Sequence, residues 1–153
     1  MIEDLIYISQ EAGSFVRSRF NSNFDLEFKT NESDLVTEVD RKSENIIMDF
    51  IMKKYPGHGI IAEESQGLSS QSEYNWIIDP LDGTVNFAHG FPMFAISIGV
   101  QKNGETIAGV VYDIMKDSIF SAELGCGSYE NDKKIKVNDN SKLRHALLVT
   151  GFP

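Results

Sequence analysis

Residues 76–87 read Trp-Ile-Ile-Asp-Pro-Leu-Asp-Gly-Thr-Val-Asn-Phe, which predicts an apolar strand ending in a turn that carries two carboxylates. Pro80 cannot donate to a strand ladder and directly follows Asp79, so we expect the chain to leave the ladder there. Gly83 permits a sharp turn, after which a short helical turn begins. Asp79 and Asp82 would then lie together at a strand end, where two carboxylates can share a hard cation.

A second interpretation of these acids is purely structural. Asp-Pro and Asp-Gly are common turn dipeptides, so Asp79 and Asp82 could serve only the turn. Another acidic pair, Glu63-Glu64, follows a second apolar run and favours a shared acidic rim instead. At the start of the helical turn, the backbone N–H groups of Gly83 and Thr84 would offer a seat for phosphate.

Two better-known acidic motifs do not fit this stretch. A phosphatase with an aspartyl nucleophile also has Asp-Gly-Thr after an apolar strand, but its acids are spaced Asp-x-Asp-Gly-Thr. The spacing here is Asp-x-x-Asp-Gly-Thr, with a proline after the first acid, which disfavours a covalent mechanism. An EF-hand loop is excluded because acids are missing at alternate positions.

Outward from this stretch, the chain predicts two helices followed by strands. Apolar residues at spacings of three and four predict a helix over 2–20, and Thr37-Glu38-Val39-Asp40 has the capping-box pattern that starts a second helix ending near Tyr55. Asn103-Gly104 favours a tight hairpin. The predicted strands are 59–62, 76–78, 94–100, 107–112, 118–122, 135–137 and 147–149. This order indicates an α+β fold, a layered α/β sandwich with two helices packed on a mainly antiparallel sheet.

Composition excludes several classes of protein. The 153 residues are 41% hydrophobic and 24% charged, as in one globular domain rather than a disordered chain. Fourteen basic against 23 acidic residues give a net charge of -9 without a basic cluster, so we expect no nucleic-acid partner. No apolar run approaches the ~20 residues of a membrane span. The single cysteine, Cys126, and an acidic N-terminus unlike a signal peptide predict a cytoplasmic protein.

Together these features resemble the inositol monophosphatase family of Mg²⁺-dependent, lithium-sensitive phosphomonoesterases. The stretches that carry the resemblance are KTNESDLVTEVD (29–40), GIIAEES (59–65), WIIDPLDGTVNF (76–87) and FPMFAISIGV (91–100). The resemblance runs through essentially all of the chain. It implies a fold of the inositol monophosphatase and sugar phosphatase type, of which residues 1–153 are the N-terminal, metal-binding portion and the C-terminal half is absent.

The resemblance implies two or three Mg²⁺ ions. Glu63, Asp79 and the Leu81 carbonyl would bind the first ion, and Asp79 would bridge to a second that Asp82 also binds. Asp82 would in addition contact the substrate. Asp34 would lie near a weakly held third ion. The resemblance also implies that Li⁺ inhibits by occupying the second site.

The catalytic roles implied by the resemblance fall on neighbouring residues. Glu63 and Thr84 would hold the attacking water, and Asp40 would pair with the Thr84 hydroxyl to help take its proton. Gly83 and Thr84 would bind the substrate phosphate through their amides. Lys29 would lie, with the third-ion residue, on a mobile loop that closes over the site.

The implied function is Mg²⁺-dependent hydrolysis of a small phosphate monoester by metal-activated water, with inositol monophosphate as the first candidate substrate. Nucleotide 3'-phosphate, NADP and fructose 1,6-bisphosphate are the alternatives within the fold. The family's second half holds a Trp-Asp element that completes the second metal site, and the only tryptophan here is Trp76. A non-catalytic metal-binding or interaction fragment is therefore the alternative from another class. The full-length protein is expected to be a homodimer, and the 153-residue chain alone to be inactive or to associate through an uncovered sheet face.

Overall fold

The computed structural model describes residues 1–22, 26–28, 35–65, 67 and 72–149. This part of the chain forms three α-helices, nine β-strands and one 3₁₀ turn. In chain order they are α1 (Ile2–Arg19), β1 (Leu26–Phe28), β2 (Leu35–Thr37), α2 (Glu38–Lys54), β3 (Gly59–Ala62), β4 (Tyr74–Asp82), α3 (Thr84–Ala88), β5 (Ala95–Lys102), β6 (Glu105–Asp113), β7 (Ser118–Glu123), β8 (Gly127–Glu130), β9 (Lys133–Ile135) and the 3₁₀ turn Leu143–His145.

Seven of the strands form one sheet in the order β3-β4-β5-β6-β7-β8-β9, and β1 and β2 pair separately. Within the large sheet β3 and β4 are parallel, while each later pair of neighbours is antiparallel. The hairpin between β5 and β6 turns at Asn103 and Gly104, whose φ angles of 51° and 83° are the positive values that a tight hairpin needs. The predicted α+β sandwich with a mainly antiparallel sheet is confirmed.

The hydrophobic core lies between the sheet and the two long helices. On α1 the buried residues Leu5, Ile8, Ala12 and Val16 recur every three or four positions and form one apolar face. The sheet contributes alternate residues of its central strands, which are likewise buried: Trp76, Ile78, Ile96, Ile98, Val100, Ala108 and Val110. Because both layers present an apolar face, the two helices pack on the strands of the sheet.

On the opposite side of the sheet, within the described residues, apolar side chains remain exposed. Ile61, Ile77, Val111 and Phe120 are each 37–46% exposed. A shallow groove of about 590 Å³ runs over this side and is lined by strands β5 to β9. The two helices therefore cover one face of the sheet, as the sequence predicts.

Most predicted elements end within two residues of their observed bounds, but the predicted strand 76–78 covers only the middle of β4, which runs from Tyr74 to Asp82. The second helix begins at Glu38, with Thr37 as its N-cap and a complete capping box between Thr37 and Asp40. Strand 135–137 is only partly right, since β9 ends at Ile135. Strand 147–149 is wrong: those residues are exposed and pair with no described strand, and an apolar run without a partner does not form a ladder. The strands β1, β2 and β8 were not predicted. In the described residues, no helix is long and apolar enough to cross a bilayer.

The ladder between β4 and β5 is irregular where the sequence predicts a break. Asp79 pairs with Ser97 and Asp82 with Ala95, so the register shifts across the intervening Pro80 and Leu81. The strand resumes at Asp82 instead of ending at Asp79. Proline lacks the N–H that a regular ladder would use, which accounts for the irregularity at this point.

Candidate active site

The parallel pairing of β3 and β4 brings two acids to one edge of the sheet. Ala62, the last residue of β3, pairs with Ile78 of β4. Glu63 and Asp79 are the next residues along these two strands, so they emerge side by side. The two carboxyl groups are close enough for Glu63 to raise the pKa of Asp79.

Asp79 is the most perturbed carboxyl group of this edge. Burial, together with the nearby carboxylates of Glu63 and Asp82, raises its pKa from 3.8 to about 7. The backbone N–H of Leu81 donates to Asp79 Oδ1 at 3.2 Å and opposes that rise. A cation would offset the repulsion between this half-buried carboxyl group and the two neighbouring carboxylates.

The donor types at this edge fit a hard divalent ion, because carboxylate and carbonyl oxygens are the ligands that Mg²⁺ prefers. No group of three or more His, Cys, Asp or Glu side chains in the described part of the chain is arranged to hold a metal ion. The Glu63–Asp79 pair is thus the centre of the candidate site, and exposed Asp82 lies beside it.

Gly83 and Thr84 turn the chain from β4 into the short helix α3. Gly83 is the N-cap of α3 and has φ +93°, and a Cβ there would lie 3.0 Å from the Met93 carbonyl oxygen. Only glycine fits this conformation without strain. The side-chain amide of Asn86 donates to the same Met93 carbonyl at 2.8 Å, which ties α3 to the chain that enters β5.

Thr84 is held from two sides. Its hydroxyl lies 2.7 Å from Asp40 Oδ1 and 3.0 Å from the Leu81 carbonyl oxygen. The buried Asp40 has its other oxygen, Oδ2, at the start of α2, where it accepts the backbone N–H of Thr37 at 2.9 Å. One carboxylate therefore caps a helix and orients a hydroxyl beside the acidic pair.

The structure brings together most of the residues predicted from sequence. Glu63, Asp79, Leu81 and Asp82 lie at the sheet edge, and Gly83 and Thr84 follow directly, with Asp40 reaching Thr84 from α2. Lys29 and Asp34 lie outside the described residues. Both stay predictions.

Two buried polar residues of α2 were missed by the sequence analysis. Ser43 Oγ donates to the Pro80 carbonyl oxygen at 2.9 Å, and Glu44 Oε2 accepts the backbone N–H of Glu64 at 2.8 Å. Their signal was present in the sequence, because Ser43 and Glu44 share the helix face that carries Ile47 and Ile51. Polar residues inside an apolar helix face indicate buried partners.

The chain is similar to known proteins over most of its length. A family model described as the inositol monophosphatase family matches residues 2–153. A fructose-1,6-bisphosphatase/inositol-1-monophosphatase of Aquifex aeolicus is 48% identical over 122 residues, covering 80% of this chain and 46% of that protein. An inositol-1-monophosphatase of Bacillus subtilis is 39% identical over 141 residues, covering 91% of this chain and 53% of that protein.

Solved structures share the fold. An extragenic suppressor protein from Bartonella henselae superposes with a TM-score of 0.86 at 35% identity, over 90% of this chain and 54% of that one. The chain spans about half the length of the curated relatives it matches.

Proposed function

The chain belongs to the inositol monophosphatase family, and from that premise we propose that it supplies the metal-binding half of a Mg²⁺-dependent hydrolase of small phosphate monoesters. The observation that carries the proposal is the pair of carboxyl groups, Glu63 and Asp79, that the parallel pairing of β3 and β4 brings to one sheet edge, together with the Thr84–Asp40 hydrogen bond. Inositol monophosphate is the proposed substrate, since the Bacillus subtilis relative is named for that activity.

The proposed ion-binding groups are oxygen donors from two strands. Glu63, Asp79 and the Leu81 carbonyl would hold a first Mg²⁺, and Asp79 and Asp82 would hold a second. Two such ions lower the pKa of a bound water and neutralise phosphoryl oxygens. Asp82, Gly83 and Thr84 bind the substrate phosphate, the last two through backbone N–H groups at the start of α3.

The proposed proton path uses Thr84 and Asp40. Glu63 and the Thr84 hydroxyl orient the attacking water on the open side of the sheet edge. Thr84 Oγ1 accepts a proton from this water as its own proton moves to Asp40 Oδ1, along the 2.7 Å hydrogen bond. The oxygen of the water bonds to phosphorus, the ester P–O bond breaks, and the leaving alkoxide takes a proton from solvent water to become the alcohol. Asp40 then releases its proton to solvent. Free phosphate and the alcohol are the products.

Further parts of the proposal concern residues and properties beyond the observed site. Lys29 and Asp34 close over the bound substrate, with Asp34 near a third ion. Li⁺ inhibits at the second ion site, the full-length protein is a homodimer, and it acts in the cytoplasm, in keeping with the lone Cys126.

A second substrate class is fructose 1,6-bisphosphate, because the Aquifex aeolicus relative is named for both activities. Nucleotide 3'-phosphate and NADP complete the set of phosphate esters to compare. The second candidate function is a metal-binding fragment without turnover. It is favoured by the centre of the candidate site, which in the described residues is a pair of carboxyl groups, Glu63 and Asp79, rather than a group of three ligating side chains.

Phosphate release from these four substrates, measured with Mg²⁺, tests the proposal. With the full-length protein, we expect release from inositol monophosphate that Asp79→Asn abolishes, while Asp49→Asn leaves it unchanged. Asp49 is a matched control because it is an exposed aspartate on α2. A folded wild-type sample that binds Mg²⁺ without releasing phosphate would establish the non-catalytic alternative.

A further inference from the structure

We propose that Ser43 and Glu44 are positioning residues, which hold the two ligand-bearing segments at the separation that cation binding needs. The inference rests on the proposed function, since it concerns the same ion site. Neither residue contacts the substrate or the ion in this proposal. Each acts through a hydrogen bond to the backbone beside a ligand.

The geometry of α2 places both residues where they can do this. Asp40, Ser43 and Glu44 occupy positions i, i+3 and i+4 and so share one helix face. Their exposed fractions are 1%, 0% and 2%, although the rest of this face is apolar. Polar groups removed from water this completely cost free energy unless their partners are provided by the protein.

The partners belong to the segments that carry the proposed ligands. Ser43 Oγ donates to the carbonyl of Pro80, which stands between Asp79 and Leu81, at 2.9 Å. Pro80 lies in the register shift between β4 and β5, so the helix donates where the strand ladder is irregular. This hydrogen bond holds the backbone at Pro80, and the proposed ligands Asp79 and Leu81 lie on either side of it.

Glu44 performs the same task on the neighbouring strand. Its Oε2 accepts the backbone N–H of Glu64 at 2.8 Å, one residue beyond Glu63 and just past the end of β3. One turn of α2 therefore makes hydrogen bonds to the backbone of both segments that carry the proposed ligands. Because Ser43 and Glu44 are adjacent on a rigid helix, α2 holds the two ligand segments together beyond the last residue pair of the β3–β4 ladder, Ala62 with Ile78.

Ser9 on α1 is a buried serine without a hydrogen bond to the described residues of the proposed site, and it serves as the comparison for Ser43. It is also 0% exposed, but its hydroxyl donates to the Ile6 carbonyl within its own helix, at 2.9 Å. Ser9→Ala and Ser43→Ala remove the same atom from equally buried sites. Only Ser43→Ala removes a hydrogen bond to the segment that carries proposed ligands.

Titration of the purified chain with Mn²⁺, followed by the EPR signal of free Mn²⁺, tests the inference without any turnover. We expect Ser43→Ala and Glu44→Met to weaken Mn²⁺ binding about tenfold or more, in the range that ligand-orienting groups usually show. Glu44→Gln keeps an oxygen acceptor for the Glu64 N–H, so it should stay within about threefold of wild type, as should Ser9→Ala. Circular dichroism confirms that each metal-free variant is folded at the titration temperature.

The outcomes separate this inference from the proposed function. If the wild type binds no Mn²⁺, the proposed function fails, and the inference fails with it. If the wild type binds but Ser43→Ala binds equally well, only the inference is overturned. Equal losses in Glu44→Gln and Glu44→Met, or in Ser9→Ala and Ser43→Ala, would also overturn it. Should Glu44→Met not fold, the Ser43 and Ser9 pair decides.

Discussion

Asp40 and Thr84 stand 44 residues apart in sequence, yet the Thr84 hydroxyl lies 2.7 Å from Asp40 Oδ1. The second oxygen of Asp40 accepts the backbone N–H of Thr37 at 2.9 Å and completes the capping box of α2. The start of α2 and the start of α3 are therefore held by one buried carboxylate. A substitution at Thr84 should therefore alter the environment of Asp40, and a substitution at Asp40 that of Thr84.

We predict that Thr84→Val lowers the free energy of unfolding by about 1–2 kcal/mol, because it leaves Asp40 Oδ1 without its donor in a buried position. Thr84→Ser keeps the hydroxyl and should cost less than about 0.5 kcal/mol. In a double-mutant cycle with Asp40→Asn, measured by urea unfolding, the coupling should be about 1 kcal/mol. Strictly additive changes would contradict a direct bond.

The same pair decides turnover if the proposed function holds. Thr84→Val should reduce the rate of phosphate release by about 10²-fold or more, since the water then loses its proton acceptor. Thr84→Ser should retain most of the rate. A Thr84→Val variant as active as wild type would exclude the proposed proton path while leaving metal binding untouched.

Local patterns account for the parts of the fold that sequence predicted well. The capping box needs only Thr37 and Asp40 in one turn, and the hairpin needs only Asn103-Gly104, so both were visible as short motifs. The prediction of a strand over 147–149 was wrong because an apolar run does not show whether a neighbouring strand is available to pair with it. Strand pairing depends on residues far away in the sequence. The parallel pairing of β3 with β4, which sets the site, is long-range in the same way.

For the site, the acids were found at strand ends, but their assignment as ligands came from the family resemblance. Ser43 and Glu44 escaped because their partners are backbone atoms of Pro80 and Glu64, which carry no sequence signal of their own. The only trace of such contacts is a polar residue where periodicity calls for an apolar one. That trace identifies a buried group without identifying its partner.

Gly83 should be far less tolerant of alanine than a glycine with the same backbone angle elsewhere. Gly83 and Gly57 both have φ +93°, but a Cβ at Gly83 would meet the Met93 carbonyl oxygen at 3.0 Å, whereas nothing lies within 4 Å at Gly57. We predict a loss of about 2–3 kcal/mol for Gly83→Ala against about 1 kcal/mol for Gly57→Ala, measured by urea unfolding. Equal losses would show that the close approach to Met93 is unimportant.

The exposed side of the sheet should drive association of this chain. Val111 and Phe120 are directly opposite on β6 and β7, 42% and 40% exposed, and apolar surface of this kind favours burial against another molecule. We expect association that rises with concentration in light scattering, reduced by Val111→Thr and Phe120→Thr. Met52→Gln, at a 42% exposed position on α2, is the control that should change little. A strictly monomeric 17.1 kDa particle at all concentrations would contradict this prediction.

Asp79 should make the metal-free chain less stable as the pH rises. Burial and the carboxylates of Glu63 and Asp82 raise its pKa from 3.8 to about 7. Between about pH 4 and pH 7 the folded chain therefore keeps a proton that the unfolded chain has released, so this contribution to stability declines over that interval and is gone above pH 7.

Asp79→Asn removes the titrating group, and comparison with wild type isolates its effect. At pH 8 without metal, we expect Asp79→Asn to be more stable than wild type by about 1–2 kcal/mol, a figure reduced for the solvent that reaches this half-buried side chain. Near pH 4 the difference should vanish. Added Mg²⁺ at pH 8 should raise the melting temperature of wild type and of Asp49→Asn but not of Asp79→Asn, because binding stabilises only a chain with an intact site. Asp79→Asn could instead be less stable than wild type at pH 8 without metal. The charged Asp79 carboxylate would then stabilise the fold, and repulsion among the carboxylates would no longer support a cation site at this edge.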